Sequence, residues 1–273
     1  MSDLSLDRIQ GLEAFALELA QAAGAAILPL FRADHGLEDK GAASGAGFDP
    51  VTQADRGAEA AMRQAIAARF PHHGVIGEEY GEDRADAEFV WVLDPVDGTR
   101  AFVAGLPLWT TLIGLRVQGR PVVGAIAQPF LDEVYLGSKA RGSRLVSRGS
   151  EQSLAVRPCS RLTEAVIATT DPDLFNGAEL GAWRQVRAAA RLARLGCDAY
   201  AYAMVALGRI DLVAEAGLKA WDIEAAVPVI EGAGGVASDW RGEALGANGG
   251  QLALAGDRRV LDEALVALRR AAA

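Results

Sequence analysis

The stretch FVWVLDPVDGT, Phe89 to Thr99, constrains the possible folds more than any other part of the chain. Five residues suited to a buried strand run straight into Asp94, Pro95, Val96, Asp97, Gly98 and Thr99. In open α/β sheets the carboxyl end of a strand facing a crevice is where ligands bind. Two carboxylates held close repel each other and call for a proton or a cation between them. Hard divalent cations such as Mg²⁺ prefer oxygen ligands, backbone carbonyls included. Asp94, Asp97 and the Val96 carbonyl can therefore share one or two ions. Taken alone, the hexapeptide is also a common turn composition.

Two further features tip the balance toward a metal site. Glu78 and Glu79 end another short apolar run, GVIGEE, and Asp222 follows Trp221 at the start of an apolar helix. There an acid also suits a first turn or an N-cap. Gly98 and Thr99 lie where a helix, TRAFVAG, begins, and free N–H groups at a helix start bind phosphate. Metal ions beside such a helix start make a phosphoryl-transfer site.

Periodicity outlines the remaining elements. Ile9, Leu12, Phe15, Leu19, Ala23, Ile27 and Leu30 recur at helical spacing. The Gly-, Ala- and Ser-rich segment 34–50 reads as a mobile loop or loose hairpin. A helix is expected over Ala54–Phe70. Strands broken at Gln118-Gly119-Arg120 and near Pro129 read as antiparallel. A further strand is expected at SLAVRP (Ser153–Pro158), another at AVIATT, then a helix over Ala182–Arg194 and one over Cys197–Arg209. DLVAEA reads as a strand, Ala220–Gly235 as a helix, LALAG as a strand and DRRVLDEALVALRRA as the last helix. Interleaved helices and strands around an antiparallel block predict a layered α/β, mixed α+β architecture. No linker divides residues 1–273, so a single domain with two lobes, about 1–150 and 151–273, is expected.

Other chemistries lose ground. No P-loop, dinucleotide fingerprint, H-E-x-x-H or G-x-S-x-G is present. The acids of the central motif stand three apart, not two as in the D-x-D-G-T of haloacid-dehalogenase phosphatases. Net charge is −9, and no basic stripe would neutralise nucleic acid or an acidic membrane surface. Cys159 and Cys197 are the only cysteines, so a reducing cytoplasm is the expected compartment. No signal peptide is evident, and no uncharged apolar run reaches the roughly 18 residues of a membrane helix.

Together, G-E-E at Gly77–Glu79, D-P-V-D-G-T at Asp94–Thr99 and W-D-I-E-A-A at Trp221–Ala226 resemble the inositol monophosphatase family of Mg²⁺-dependent, lithium-sensitive phosphatases. D-P-V-T-Q-A-D at Asp49–Asp55 and G-A-G-G at Gly232–Gly235 belong to the same pattern. The blocks run in family order over nearly the whole chain. The resemblance implies a layered α/β/α/β/α sandwich of the inositol monophosphatase and fructose-1,6-bisphosphatase type, usually a homodimer, with two or three Mg²⁺ ions per site. It implies Glu78, Asp94, the Val96 carbonyl, Asp97 and Asp222 as metal ligands. Asp49 and Thr99 match the pair that orients and deprotonates the attacking water, with Glu78 also at the catalytic centre. Gly98 and Thr99 match the phosphate cradle, Glu79 supports the metal shell, and Lys40 lies on a segment that closes over the site. Hydrolysis then proceeds without a phospho-enzyme.

Around this core, DGTRAFVAGLPLWTTLIG, GCDAYAY and the segment from Asp211 to Trp240 look most like the histidinol-phosphatase branch. Histidinol carries a cationic amine, so its site should offer carboxylates beyond the metal cluster. Asp198 and Glu215 are the candidates for that amine, and each also suits a solvated or capping acid. Arg100 and Trp109 are candidates to shape the pocket, as against a surface charge and a core residue. The alternatives are an inositol-1-phosphate phosphatase, a 3′(2′),5′-bisphosphate nucleotidase, which would need a cationic cluster, and a non-catalytic member with a broken ligand set.

Overall fold

The computed structural model describes residues 4–34, 36–39 and 50–273. Helix α1 (Leu6–Ile27) is capped by Ser5, whose hydroxyl accepts the Arg8 N–H, and it buries Leu12, Phe15, Leu19, Ala23 and Ile27 along one stripe. By length and composition, α1 and the turn behind it would pass as a membrane span. Here it is a core helix. Its apolar stripe lies in the cluster that includes Trp91, Ile113 and Ala125 of the first sheet. Its fully buried Glu13 accepts hydrogen bonds from Ser138 and Arg144. Helix α2 (Gln53–Arg69) packs beside α1 and starts at a capping box formed by Thr52 and Asp55.

A short antiparallel ladder joins β1 (Glu38–Asp39) and β2 (Pro50–Val51). The first large sheet comprises β3 (Gly74–Gly77), β4 (Gly81–Asp83), β5 (Phe89–Asp97), β6 (Thr110–Val117), β7 (Arg120–Gln128), β8 (Glu133–Ser138), β9 (Gly142–Ser147) and β10 (Ser150–Ser153). Its spatial order is β10-β9-β8-β7-β6-β5-β3-β4, and only the β3–β5 pair is parallel. Gln118 and Gly119, both at positive φ, close the two-residue β6–β7 turn, as the break at that point predicts. Helix α3 (Thr99–Val103) follows β5 directly.

The second sheet holds β11 (Val166–Thr169), β12 (Leu192–Leu195), β13 (Leu212–Leu218), β14 (Val236–Ser238) and β15 (Gly250–Ala255) in the order β12-β11-β13-β15-β14. Helix α4 (Gly177–Ala189) and the last helix, Arg258–Leu268, cover its outer face through Trp183, Val186, Val260 and Leu261. Between the sheets lie α5 (Tyr200–Ala206), α6 (Ala220–Ile223) and α7 (Ala226–Gly232). There Tyr202, Val205, Ile223, Val229 and Ile230 meet Leu112 and Ile126 of one sheet and Val213 and Leu254 of the other. The result is a mixed α+β sandwich layered α/β/α/β/α. Close approach of the middle layer needs glycine in the first sheet. A Cβ on Gly124 would fall 2.0 Å from the Ala225 oxygen, and one on Gly114 2.8 Å from the Glu224 Cβ.

Local periodicity misplaced several elements. Only Ser153 of the SLAVRP segment is in a strand, because Leu154 and Val156 instead donate to the carbonyls of Ser143 and Ala233. The expected helix over Ala182–Arg194 stops at Ala189. Its tail becomes β12, drawn into the sheet by parallel pairing of Leu192–Leu195 with Val166–Thr169. The helix over Ala220–Gly235 is two helices, broken at Glu224-Ala225, and that over Cys197–Arg209 is confined to Tyr200–Ala206. The hairpin of β9 and β10 lacks a strong apolar signal, since β10 is polar and exposed at the sheet edge and β9 is mostly half-buried.

Candidate active site

The site begins with an irregularity in β5. Side chains alternate faces along a strand, so acids three positions apart should point to opposite sides. The pairing with β6 slips between them: Asp94 faces Leu112 and Asp97 faces Thr110, three steps on one strand against two on the other. This bulge falls at Pro95, which has no N–H to give to a ladder. The Pro95 carbonyl accepts the Thr111 hydroxyl at 2.8 Å instead. Both acids are thereby turned toward one place. The chain then reverses at Gly98, at φ +82°, and enters α3, where the Thr99 hydroxyl donates to the Val96 carbonyl at 3.0 Å.

A third acid arrives from the far side of the chain. Asp222, in α6, accepts the Lys219 N–H at 2.6 Å. One carboxylate oxygen from each of Asp94, Asp97 and Asp222 lies within 4.8 Å of the others. Asp94 is almost completely buried, and its Oδ1 has no hydrogen-bond partner among the described residues. Burial, then the charges of Glu78, Asp97, Asp222 and Asp55, hold its carboxyl far above the usual range. Asp97 is raised by burial and by Asp198 and Asp222, against the Ala199 N–H, which donates to its Oδ2 at 2.7 Å. Thr110 also donates to that oxygen, at 3.4 Å. Burial lifts Asp222 to about 6. Converging, poorly compensated carboxylates of this kind fit a hard divalent cation.

The remaining expected residues fall as follows. Glu78 follows β3 and is close enough for its charge to act on Asp94 and Asp97. Glu79 comes next, half-buried, in the turn to β4. Asp49 and Lys40 lie outside the described residues. Asp198 is held at φ +44° and stacks against the turn: a Cβ on Gly98 would sit 3.2 Å from its Cβ and Cγ. Burial raises Asp198 to about 6, with Arg100 opposing and Asp171 adding to the shift. Arg100 is exposed, 4.0 Å from the Asp171 carboxylate. Glu215, on β13, is buried. It accepts the Thr169 hydroxyl at 3.0 Å, the Thr170 N–H at 2.7 Å and the Thr170 hydroxyl at 3.0 Å. Burial nevertheless lifts it to about 8.

Trp109 does not shape the pocket. It is fully buried against Phe31 and Phe102 in the outer core, just before β6 begins. Sequence reasoning also missed contributors. Thr110 and the Ala199 amide hold Asp97, Asp171 faces Arg100, and Thr169 and Thr170 grip Glu215. A backbone amide has no sequence signature, and single threonines on strands are too common to stand out.

Comparison with known proteins places the chain among relatives. The profile of the inositol monophosphatase family matches residues 9–273. The chain is 42% identical over 247 residues to the bifunctional phosphatase IMPL2, chloroplastic, of Arabidopsis thaliana, covering 89% of this chain and 67% of that one. It is 37% identical over 228 residues to a histidinol-phosphatase of Chlorobaculum parvum, covering 83% and 85%. Among solved structures, an inositol monophosphatase from Zymomonas mobilis superposes with a TM-score of 0.85 at 39% identity, over 95% of this chain and 98% of that one.

Proposed function

The chain belongs to the inositol monophosphatase family of phosphatases, and on that premise we propose that it is an Mg²⁺-dependent histidinol-phosphate phosphatase. The observation that carries the choice of substrate is the acidic wall beside the Gly98 turn. Asp198 lies against that turn, with Glu215 and Asp171 within electrostatic reach of it. Such a wall suits an alcohol phosphate that also bears an ammonium group, and it disfavours a second phosphate. Similarity to a histidinol-phosphatase supports the same choice.

In this reading Glu78, Asp94, the Val96 carbonyl, Asp97 and Asp222 hold the metal, in two or three ions. Bound Mg²⁺ would offset the phosphate charge and acidify a water. The protein's own groups set direction. The Thr99 proton is committed to the Val96 carbonyl, so the Thr99 oxygen is left with lone pairs to accept from, and so orient, an attacking water. Asp49 is the partner base. The first amides of α3 have no acceptor within the helix and face the ester oxygens. Asp198 receives the substrate amine, with Glu215 behind it, and Arg100 limits the outer rim. A homodimer in the cytoplasm completes the proposal.

A second reading, inositol-1-phosphate phosphatase, needs the same metal ligands and is favoured by the likeness to the Zymomonas mobilis inositol monophosphatase. Steady-state kcat/KM for histidinol phosphate, inositol-1-phosphate and fructose-1,6-bisphosphate separates the two. A preference for histidinol phosphate of at least about tenfold is expected. A preference for the inositol ester would overturn the substrate and leave the family standing.

A further inference from the structure

Glu59 lies in the middle of α2, fully buried, and none of the roles above uses it. Its Oε2 accepts the Glu79 N–H at 2.8 Å, and its Oε1 accepts the Tyr80 N–H at 3.1 Å. Arg63, one turn further along α2, donates its Nε to Oε1 at 2.8 Å and reaches the Gly81 carbonyl with its Nη2. The turn from Gly77 to Gly81 is thus bonded to one carboxylate. Gly77 makes this possible, because a Cβ there would lie 2.1 Å from Glu59 Oε1. On the other side, the Glu78 N–H donates to the Leu93 carbonyl at 3.2 Å, one residue before Asp94. The backbone around Glu78 is therefore tied to β5 by its own amide and to α2 by the next two.

Filling this space would not require a charge. A buried carboxylate is costly unless its bonds are fully used, and an apolar residue of similar volume would pack as well. What Glu59 provides that an apolar residue does not is acceptor geometry for two successive amides immediately after Glu78. We propose that Glu59 is a positioning residue that aims the Glu78 carboxylate at Asp94 and so sets the affinity of the acid cluster for its divalent cation. This rests on the metal reading above. Arg63 has a lesser part: it pairs with Glu59 and anchors the turn at Gly81.

The test is Mg²⁺ binding to the substrate-free full-length protein by calorimetry, alongside the Mg²⁺ concentration for half-maximal turnover. Glu59→Gln keeps the shape but turns one acceptor into a donor facing an N–H. It should weaken Mg²⁺ binding about tenfold or more, while kcat at saturating Mg²⁺ stays within about threefold. Glu59→Asp, which keeps the charge and withdraws the oxygens, should also weaken binding, and Arg63→Met should do so by less than either. Should Glu59→Gln not fold, Glu59→Asp decides. Amide exchange on the wild type gives an independent reading: without Mg²⁺, the Glu79 and Tyr80 amides should already be protected. Folded Glu59 variants with wild-type Mg²⁺ affinity, or unprotected amides, would overturn the proposal and leave the phosphatase reading intact. A wild type that binds no Mg²⁺ would sink the metal reading and this inference together.

Discussion

The backbone N–H of Ala199 donates to Asp97 Oδ2 at 2.7 Å, across 102 positions of sequence. This bond joins the turn after β5 to the loop before α5. It seats Asp198 beside Gly98, so one acid of the Asp94–Asp97–Asp222 cluster and the acid proposed for the amine are held by one contact.

Asp94→Asn should lower kcat by about a thousandfold, because several kcal/mol of metal-derived stabilisation is at stake. The same change should raise the melting temperature of the chelator-treated protein at pH 7. The Asp94 carboxyl is held far above its usual range, so near neutral pH it opposes folding, and the amide relieves that. Mg²⁺ should stabilise the wild type and leave the variant's melting temperature nearly unchanged. Turnover near wild type at saturating Mg²⁺ would remove Asp94 from the site.

Glu215→Gln tests the buried acid through pH. A carboxyl raised from 4.5 to about 8 favours the folded state fully below about 4.5 and loses that contribution as pH climbs through 8. Its share of the decline is about 1.4 kcal/mol per pH unit within that window. Denaturant titrations of metal-free protein at pH 5, 7 and 9 should show a shallower fall in the variant. Asp198 faces Glu215 and is raised to about 6, so part of the decline should persist. An unchanged slope would count against a protonated Glu215.

Asp198→Asn should separate substrates. A charge-assisted hydrogen bond to an ammonium is worth about 1.5–3 kcal/mol, so kcat/KM for histidinol phosphate should fall by about 10- to 100-fold. Inositol-1-phosphate, which has no cation, should change by less than about threefold. Equal losses on both substrates would assign Asp198 to holding the turn instead.

Gly98→Ala is expected to be damaging twice over. The residue sits at φ +82°, and its new methyl would crowd Asp198. A left-handed alanine costs about 1–2 kcal/mol by itself, and the displaced turn should lower kcat more than it lowers the melting temperature. Wild-type kcat with only a small stability loss would show that the turn tolerates a shift.

The apolar run Phe89–Leu93, the helical stripe from Ile9 to Ile27 and the turn at Gln118-Gly119 were legible because each is a local pattern. The acids Asp94, Asp97 and Asp222 were legible because they stand in short motifs of distinctive composition. Leu192–Leu195 was not. Its residues suit a helix as well as a strand, and the open edge of β11 decides between them. Trp109 suited a pocket or the core equally in the sequence, and packing against Phe31 and Phe102 puts it in the core.

By itself, then, the order of residues determined which acids are candidates for the chemistry and which segments are strand or helix where periodicity is strong. Only the tertiary structure decided that Asp94 and Asp97 point the same way, that Asp222 meets them, that the Ala199 amide bonds Asp97, and that Glu59 bonds the turn after Glu78. Those outcomes depend on a bulge and on hydrogen bonds to backbone atoms, which every residue possesses and which only packing brings into reach.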